Sequence, residues 1–221
     1  FTNDASATGI GTIDSTGSAS DTAGFSIVSF TGTGSNGTIK HGLSTALDLF
    51  IIKRRDSAND WRTGSSALTN FVKHINLNTT AAESDLASAF NSTGPTTSVF
   101  SVGTSPSTNA SSGTFIAYCF SSIKGYSKVG SYTGNGNADG TFVYTGFKPA
   151  WILIKVTSTS NDWILLDNKR DTFNVATKKL LANESNAESS DSGVSTDFLS
   201  NGFKFRTAGN NVNVSGGTYI Y

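Results

Sequence analysis

The sequence predicts an all-β protein in which two tandem repeats form β-sandwich units, jelly-roll-like and packed together, with very little helix. Three observations in the 221-residue chain predict this fold. Short apolar segments recur at a spacing of roughly ten residues, as the strands of a sandwich do. Clusters of Gly, Asn, Ser and Thr, typical of turns, separate these segments. A set of motifs also occurs twice, in the same order.

The repetition is clearest in the tripeptide Asn-Asp-Trp, which stands at 59–61 and again at 161–163, although the chain has only three Trp. Other motifs match at an offset that changes from 101 residues at the first pair to 105 at the third. A nearly constant offset indicates a repeated structural unit. The matched pairs are GFSIVSFTGTG (24–34) with GYSKVGSYTGNG (125–136), DLFIIKRRDSANDW (48–61) with AWILIKVTSTSNDW (150–163), LNTTAAES (77–84) with ANESNAES (182–189), and NASSGTFI (109–116) with NVSGGTYI (213–220).

The repeats divide the chain into three stretches. Residues 1–23 are expected to be a lead-in linker that adds an edge strand, and residues 24–123 and 124–221 are the two repeats. A single larger sandwich built jointly by both repeats is the alternative. Because the chain lacks Met and stops at TYIY within a strand-like pattern, we expect both ends to be cut, so that the C-terminus is truncated.

The strand predictions follow from apolar patterning. Residues 25–30 alternate as in a half-buried strand. LFIIK (49–53) and WILIK (151–155) are continuous apolar runs, which predicts central strands covered on both faces. TFIAYCF (114–120) and TYIY (218–221) are rich in aromatic and β-branched residues, which also favour strands.

Helix is expected in two short stretches only. AAESDLASAF (81–90) has the composition of two or three helical turns, and VATKKLLA (175–182) that of one or two.

Composition excludes several functional classes. The 16 basic and 16 acidic side chains cancel, so the chain lacks the positive field that nucleic acid or an anionic membrane would attract. No apolar run approaches the ~20 residues of a membrane span, so no membrane insertion is expected. The single Cys119 permits neither an intrachain disulfide nor a cysteine metal framework, and the sequence indicates no cofactor and no metal.

The two Asn-Asp-Trp motifs supply the candidate ligand-binding residues, Asp60, Trp61, Asp162 and Trp163. An indole ring can stack on the apolar face of a sugar while the neighbouring carboxylate accepts hydrogen bonds from its hydroxyl groups. The structural alternative is a turn at Asn-Asp followed by a Trp that enters the core. Occurrence in both repeats favours this alternative, since residues shared by repeats are those that the fold needs.

Other candidate sites are weaker. NGNADG (135–140) begins like a calcium loop but has Gly146 where the loop needs Glu, which favours a turn. His41 and His74 are not shared between the repeats, and Cys119 is expected to be a buried apolar residue. No spacing brings two carboxylates together for glycoside hydrolysis, so no catalytic residue is predicted and the protein is expected not to be an enzyme. The carboxylates considered are Asp56, Asp60, Glu83, Asp162 and Asp167.

Aromatic residues crowd the start of the second repeat. Tyr126, Tyr132, Tyr144 and Phe147 lie within 22 residues, and any of them on the surface would favour binding to a glycan or to a partner protein.

The second repeat also resembles a known family. GYSKVGSYTGNGNADGTFVYTGFKPAWILIK (125–155), DFLSNGFKFR (197–206) and GGTYIY (216–221) are similar to a repeat of large, poorly characterised structural proteins of marine tailed phages. The resemblance spans about 24–221, and it implies a virion-associated tail fibre, adhesin or capsid decoration. It brings no catalytic residues.

These observations predict a non-enzymatic structural and binding module, located on a virion or extracellular. Its expected partners are other virion subunits in a homo-oligomer, trimeric if the protein is a fibre, and a host-surface polysaccharide. The alternative is a secreted carbohydrate-binding module or a weak glycan-degrading domain that uses Trp61 or Trp163 with the neighbouring Asp.

Overall fold

The structure is a computed structural model that describes residues 1–69 and 71–221. Its chain is all-β and divides into two compact units. The first unit comprises Phe1–Leu77 and Glu83–Ile123, and the second comprises Asn78–Ala82 and Lys124–Tyr221. We call residues 78–82 the first arm, because they belong to the second unit although they lie in sequence between two stretches of the first.

The first unit contains a large and a small antiparallel sheet. The order in the large sheet is β1-β2-β3-β10-β5-β6-β7-β8, and β4 pairs with β9 in the small one. Its strands are β1 (Thr2–Asn3), β2 (Ser15–Ser20), β3 (Phe25–Thr31), β4 (Gly37–Lys40), β5 (Leu49–Arg54), β6 (Arg62–Ser65), β7 (Lys73–Asn76), β8 (Ser84–Asp85), β9 (Val99–Val102) and β10 (Thr114–Phe120), and its helices are α1 (Ala5–Thr8), α2 (Ala87–Phe90) and α3 (Pro106–Asn109).

The second unit is built in the same manner. Its large sheet has the order β11-β19-β13-β14-β15-β16, and its small sheet has the order β12-β18-β17. Its strands are β11 (Ser131–Thr133), β12 (Phe142–Tyr144), β13 (Trp151–Val156), β14 (Trp163–Asp167), β15 (Lys178–Leu181), β16 (Ser189–Ser190), β17 (Thr196–Leu199), β18 (Gly202–Phe205) and β19 (Thr218–Ile220), with a 3₁₀ turn at Ser192–Val194.

The large sheets of the two units share one strand order. The run β3-β10-β5-β6-β7-β8 corresponds, strand by strand, to β11-β19-β13-β14-β15-β16. The pair β4-β9 corresponds to β12-β18, to which the second unit adds β17. The correspondence follows the order of the sequence motifs, and the origin of both units in one duplicated stretch stays our interpretation.

Each unit has its own hydrophobic core between its two sheets. In the first, the Phe50 and Phe100 rings lie 5.4 Å apart across the sheets. In the second, the Tyr132 ring lies 5.2 Å from that of Phe205 and stacks on Tyr219 at 4.8 Å. Burial of such aromatic side chains removes a large apolar area from water and is the main favourable term in folding.

Three sequence expectations differ from the structure. Residues 178–181 form β15 and not a helix, because Leu180 and Leu181 pair with β14 and the sheet outweighs local helix propensity. Helix within 81–90 is limited to Ala87–Phe90. The strands of LFIIK and WILIK are not covered on both faces, since alternate residues of β5 are only half-buried and β13 begins with an exposed Trp151.

Candidate functional site

The first Asn-Asp-Trp motif lies in the loop that joins β5 to β6. The Asp60 Oδ2 atom accepts a hydrogen bond of 3.1 Å from the Asn76 side chain and lies 4.0 Å from the Arg62 guanidinium. Trp61 is half-buried, and its ring stacks at 6.2 Å on that of Tyr118. The carboxylate is thus directed to the neighbouring strand β7.

The second motif has a similar arrangement. The Asp162 carboxylate accepts a 2.9 Å hydrogen bond from the Asn183 amide, whose oxygen in turn accepts a 2.7 Å bond from the Trp163 backbone N–H. Trp163 is only 3 % exposed, so the folded chain presents no indole face on which a sugar could stack there. This geometry agrees with the structural alternative for the motif. Of the predicted ligand-binding residues, Trp163 lacks the required exposure.

The lysine at the end of each apolar run, LFIIK and WILIK, donates hydrogen bonds to backbone carbonyls. The Lys53 Nζ atom donates to the Asn59 backbone carbonyl at 2.9 Å, so it closes its own loop. Lys155 is fully buried and donates to the carbonyls of Thr80, in the first arm, and Val156. Burial lowers the pKa of Lys155 to about 8, because desolvation disfavours the charged ammonium.

A buried asparagine organises the glycine-rich turn of each unit, a role that sequence reasoning missed. The Asn109 side chain accepts from the Thr33 N–H at 2.9 Å and donates to the Gly103 carbonyl at 2.8 Å. Asn213, its counterpart, accepts from the Asn135 N–H at 3.0 Å and donates to the Thr207 carbonyl. Both residues are completely buried, and the signal that could have found them is their recurrence before a Ser-Gly turn.

The possible calcium loop is a turn within this asparagine network. The Asn135 side-chain oxygen accepts from Asn137 N–H and from the Asn213 amide. Asp139 forms ion pairs with Lys204 at 2.9 Å and Arg206 at 3.6 Å, which lower the pKa of its carboxyl. Within residues 1–69 and 71–221, no group of three or more His, Cys, Asp or Glu side chains could hold a metal ion.

Of the remaining candidates, Asp60 and His74 both lie at the Arg62 guanidinium. His41 is buried against the Thr96 carbonyl, and burial raises the pKa of Cys119 to about 12, as expected for a buried thiol. His74 contacts the Arg62 guanidinium, and burial together with that charge lowers its pKa to about 4. The five carboxylates each have another partner: Asp56 with Arg54, Asp60 with Asn76, Glu83 with Lys73, Asp162 with Asn183, and Asp167 with Arg170.

Exposed aromatic rings gather at one end of the second unit. Tyr144 is 65 % exposed, Trp151 53 % and Phe173 86 %. The loop 144–151, which carries Tyr144 and Trp151, donates backbone hydrogen bonds to the Asn201 carbonyl in the turn between β17 and β18. Asn174, the neighbour of Phe173, bonds through its side chain to the backbone of Phe198 in β17. We call Tyr144, Trp151 and Phe173 the aromatic end. The sequence drew attention to Tyr144 but placed Trp151 in a covered strand.

A polar cleft of about 310 Å³ lies in the first unit. Asp4, Asp14 and Arg55 line it together with several hydroxyl side chains. The Asp14 carboxylate accepts from the Ala5 N–H at 2.8 Å, and Asp4 caps α1. Sequence analysis did not indicate this cleft, because its lining residues lie as far apart in the chain as Thr2 and Phe115.

The family model for a domain of unknown function, DUF7483, matches residues 2–221. The chain belongs to this family. No curated protein and no solved structure matches it. In the part of the chain that the structure describes, no helix has both the length and the apolar character needed to cross a bilayer.

Proposed function

We propose that this member of the DUF7483 family is a non-enzymatic structural and binding module of a phage virion, as a tail fibre, an adhesin or a capsid decoration. Its loops are presented to neighbouring subunits or to host-surface glycans. The observation that carries the proposal is that two separately cored units share one strand order. Repetition of one unit is the usual way in which an elongated or modular structural protein is built.

The surface also supports a role outside the cell. Charged residues make up 14 % of the chain, well below the roughly 25 % of an average globular protein, so Ser, Thr, Asn and Gly cover much of the surface. Few surface groups of this kind titrate or are screened by salt, so they suit a particle that meets changing ionic conditions.

Immunoelectron microscopy tests this function. A gold-labelled antibody raised against the purified chain is applied to particles and to cell lysate from the source culture. We expect gold on virus particles, at a constant position on each. Gold confined to non-particulate material would contradict the proposal.

The aromatic end favours a second candidate function, a secreted carbohydrate-binding module. Exposed aromatic rings, here those of Tyr144, Trp151 and Phe173, can stack on the apolar faces of sugars. On a glycan array, this candidate predicts binding that Trp151→Ala abolishes. Tyr126→Ala, which removes a ring of similar exposure (65 %) outside the aromatic end, is the matched control and should leave binding unchanged.

A further inference from the structure

The first arm forms a specific contact in the second unit. The Thr80 backbone carbonyl accepts hydrogen bonds from the Asn161 N–H at 2.8 Å and from the Lys155 Nζ atom at 3.2 Å. Lys155 is fully buried, and Trp163, on the same face of the sheet, is nearly so. The second unit therefore has a binding surface, formed by Lys155 and Asn161, for a short segment of chain.

The first unit has residues of the same types at the matching positions. The motif alignment places Lys53, Asn59 and Trp61 at the positions of Lys155, Asn161 and Trp163. All three are half-buried, whereas Lys155 and Trp163 are buried. In the described chain the Asn59 N–H, counterpart of the Asn161 donor, donates no hydrogen bond. We call Lys53 and Asn59 the docking surface.

The chain also has a second segment equivalent to the first arm. Residues 183–187, the second arm, align with 78–82 in the matched motifs and lie between β15 and β16 as the first arm lies between β7 and β8. Ser185, the counterpart of Thr80, and its neighbour Asn186 are exposed and form no hydrogen bond with any described residue. The Ser185 backbone carbonyl of the second arm thus accepts no hydrogen bond from the described residues.

The charges of the second arm and the docking surface are complementary. The second arm has Glu184 where the first arm has the neutral Thr79. Arg55 follows directly after β5, and its backbone N–H still pairs with the Thr114 carbonyl at 2.8 Å, so the alternation of faces continues from Lys53 to Arg55. The position that corresponds to Arg55 in the second unit is Thr157. Residues two apart in a strand lie on the same face, so Lys53 and Arg55 offer two cations where the second unit offers one.

We propose that the second arm of one molecule binds the docking surface of a second copy of this chain. The Ser185 carbonyl then accepts from the Asn59 N–H and Lys53, as Thr80 does from Asn161 and Lys155, and Glu184 faces Lys53 and Arg55. Because the two contacting surfaces differ, the contact is heterologous and links copies head to tail. This inference rests on the proposed structural function and specifies how its subunits join.

Sedimentation velocity on the full chain tests this contact. A contact of this small size predicts weak association, so self-association should become visible as the protein concentration is raised. Lys53→Glu and Glu184→Lys each place like charges opposite one another and should weaken association about tenfold. The double variant exchanges the two charges and should restore it, as should mixing the two single variants.

The restored association excludes misfolding as the cause, since a misfolded single variant could not complement the other. Lys148→Glu, a charge reversal at an exposed lysine outside both surfaces, is the matched control and should associate as the wild type does. A monomeric wild type, single variants that associate normally, or a double variant and mixture that both stay monomeric would each overturn the inference. None of these outcomes bears on the particle labelling, which tests the proposed function separately.

Discussion

At the residue scale, Asn109 and Asn213 explain why the glycine-rich turns recur. Each amide group is completely buried and satisfies backbone groups from two different turns of its unit. A buried polar group is tolerated when it is hydrogen-bonded, and its removal leaves the partners unsatisfied. Both asparagines also match the Asn-x-Ser glycosylation pattern, but their burial makes them inaccessible in the folded chain.

Replacement of one of these asparagines should destabilise the protein strongly. Asn109→Ala leaves the Thr33 N–H and the Gly103 carbonyl without their partner, and we expect a loss of about 3 kcal/mol in the free energy of unfolding. Asn186→Ala, at an exposed asparagine without described hydrogen bonds, should change it by less than about 0.5 kcal/mol. Urea unfolding measures both, and equal effects of the two variants would contradict the assigned role.

Lys155 predicts a pH dependence of stability. Its folded pKa of about 8 lies below the ordinary value of 10.5, so between these two pH values the unfolded chain holds a proton that the folded chain has lost. Stability therefore rises with pH across this window. The shift corresponds to a gain of up to about 3 kcal/mol, which Lys155→Met should lack.

The measurement compares urea unfolding of the wild type and Lys155→Met at both ends of this window. Other titrating groups are common to the two proteins and cancel in the difference. A difference in stability that does not change with pH would show that Lys155 has an ordinary pKa.

At the scale of elements, the sequence predicts strands well where one face is buried. Phe25–Thr31 alternates in burial as its pattern predicts, and Thr114–Phe120 is a strand, as its aromatic and β-branched content predicts. It fails where a distant strand decides the structure, as for Lys178–Leu181, whose leucines become a strand only by pairing with β14. The position of the first arm was also beyond prediction, because nothing local in Asn-Thr-Thr-Ala-Ala indicates the unit that it joins.

The turns after β3 and β11 require glycine at one equivalent position. A Cβ atom on Gly32 would lie 2.3 Å from the Ala110 carbonyl oxygen, and one on Gly134 would lie 2.2 Å from that of Val214. Because the obstacle is backbone, it cannot move aside. We expect Gly32→Ala and Gly134→Ala each to lower the free energy of unfolding by about 1–3 kcal/mol.

Gly94→Ala is the matched control for these variants. Its Cβ atom would approach only the Phe71 side chain, at 3.3 Å, so its effect should stay below about 1 kcal/mol. Thermal unfolding followed by circular dichroism compares the three variants. A Gly134→Ala protein as stable as the Gly94→Ala protein would contradict the close approach of the two turns.

At the scale of the whole molecule, the two units have the same sheet order and separate cores. The motifs that recur in the sequence lie at matching places in the two units: the Asn-Asp-Trp loop, the paired strands and the asparagine-held turn. That the chain is a tandem repeat stays a prediction. The candidate ligand site was less predictable, since exposure of Trp151 and burial of Trp163 depend on the packing of whole sheets. Sequence alone does not give such packing.

Hydrogen exchange on the full chain tests most directly whether each unit is stabilised by its own hydrophobic core. Asn213→Ala should speed amide exchange in residues 124–221 and in the first arm, and leave protection in residues 1–77 as it is in the wild type. Asn109→Ala should do the reverse. Exchange that rises equally along the whole chain in either variant would show one shared core and contradict the account.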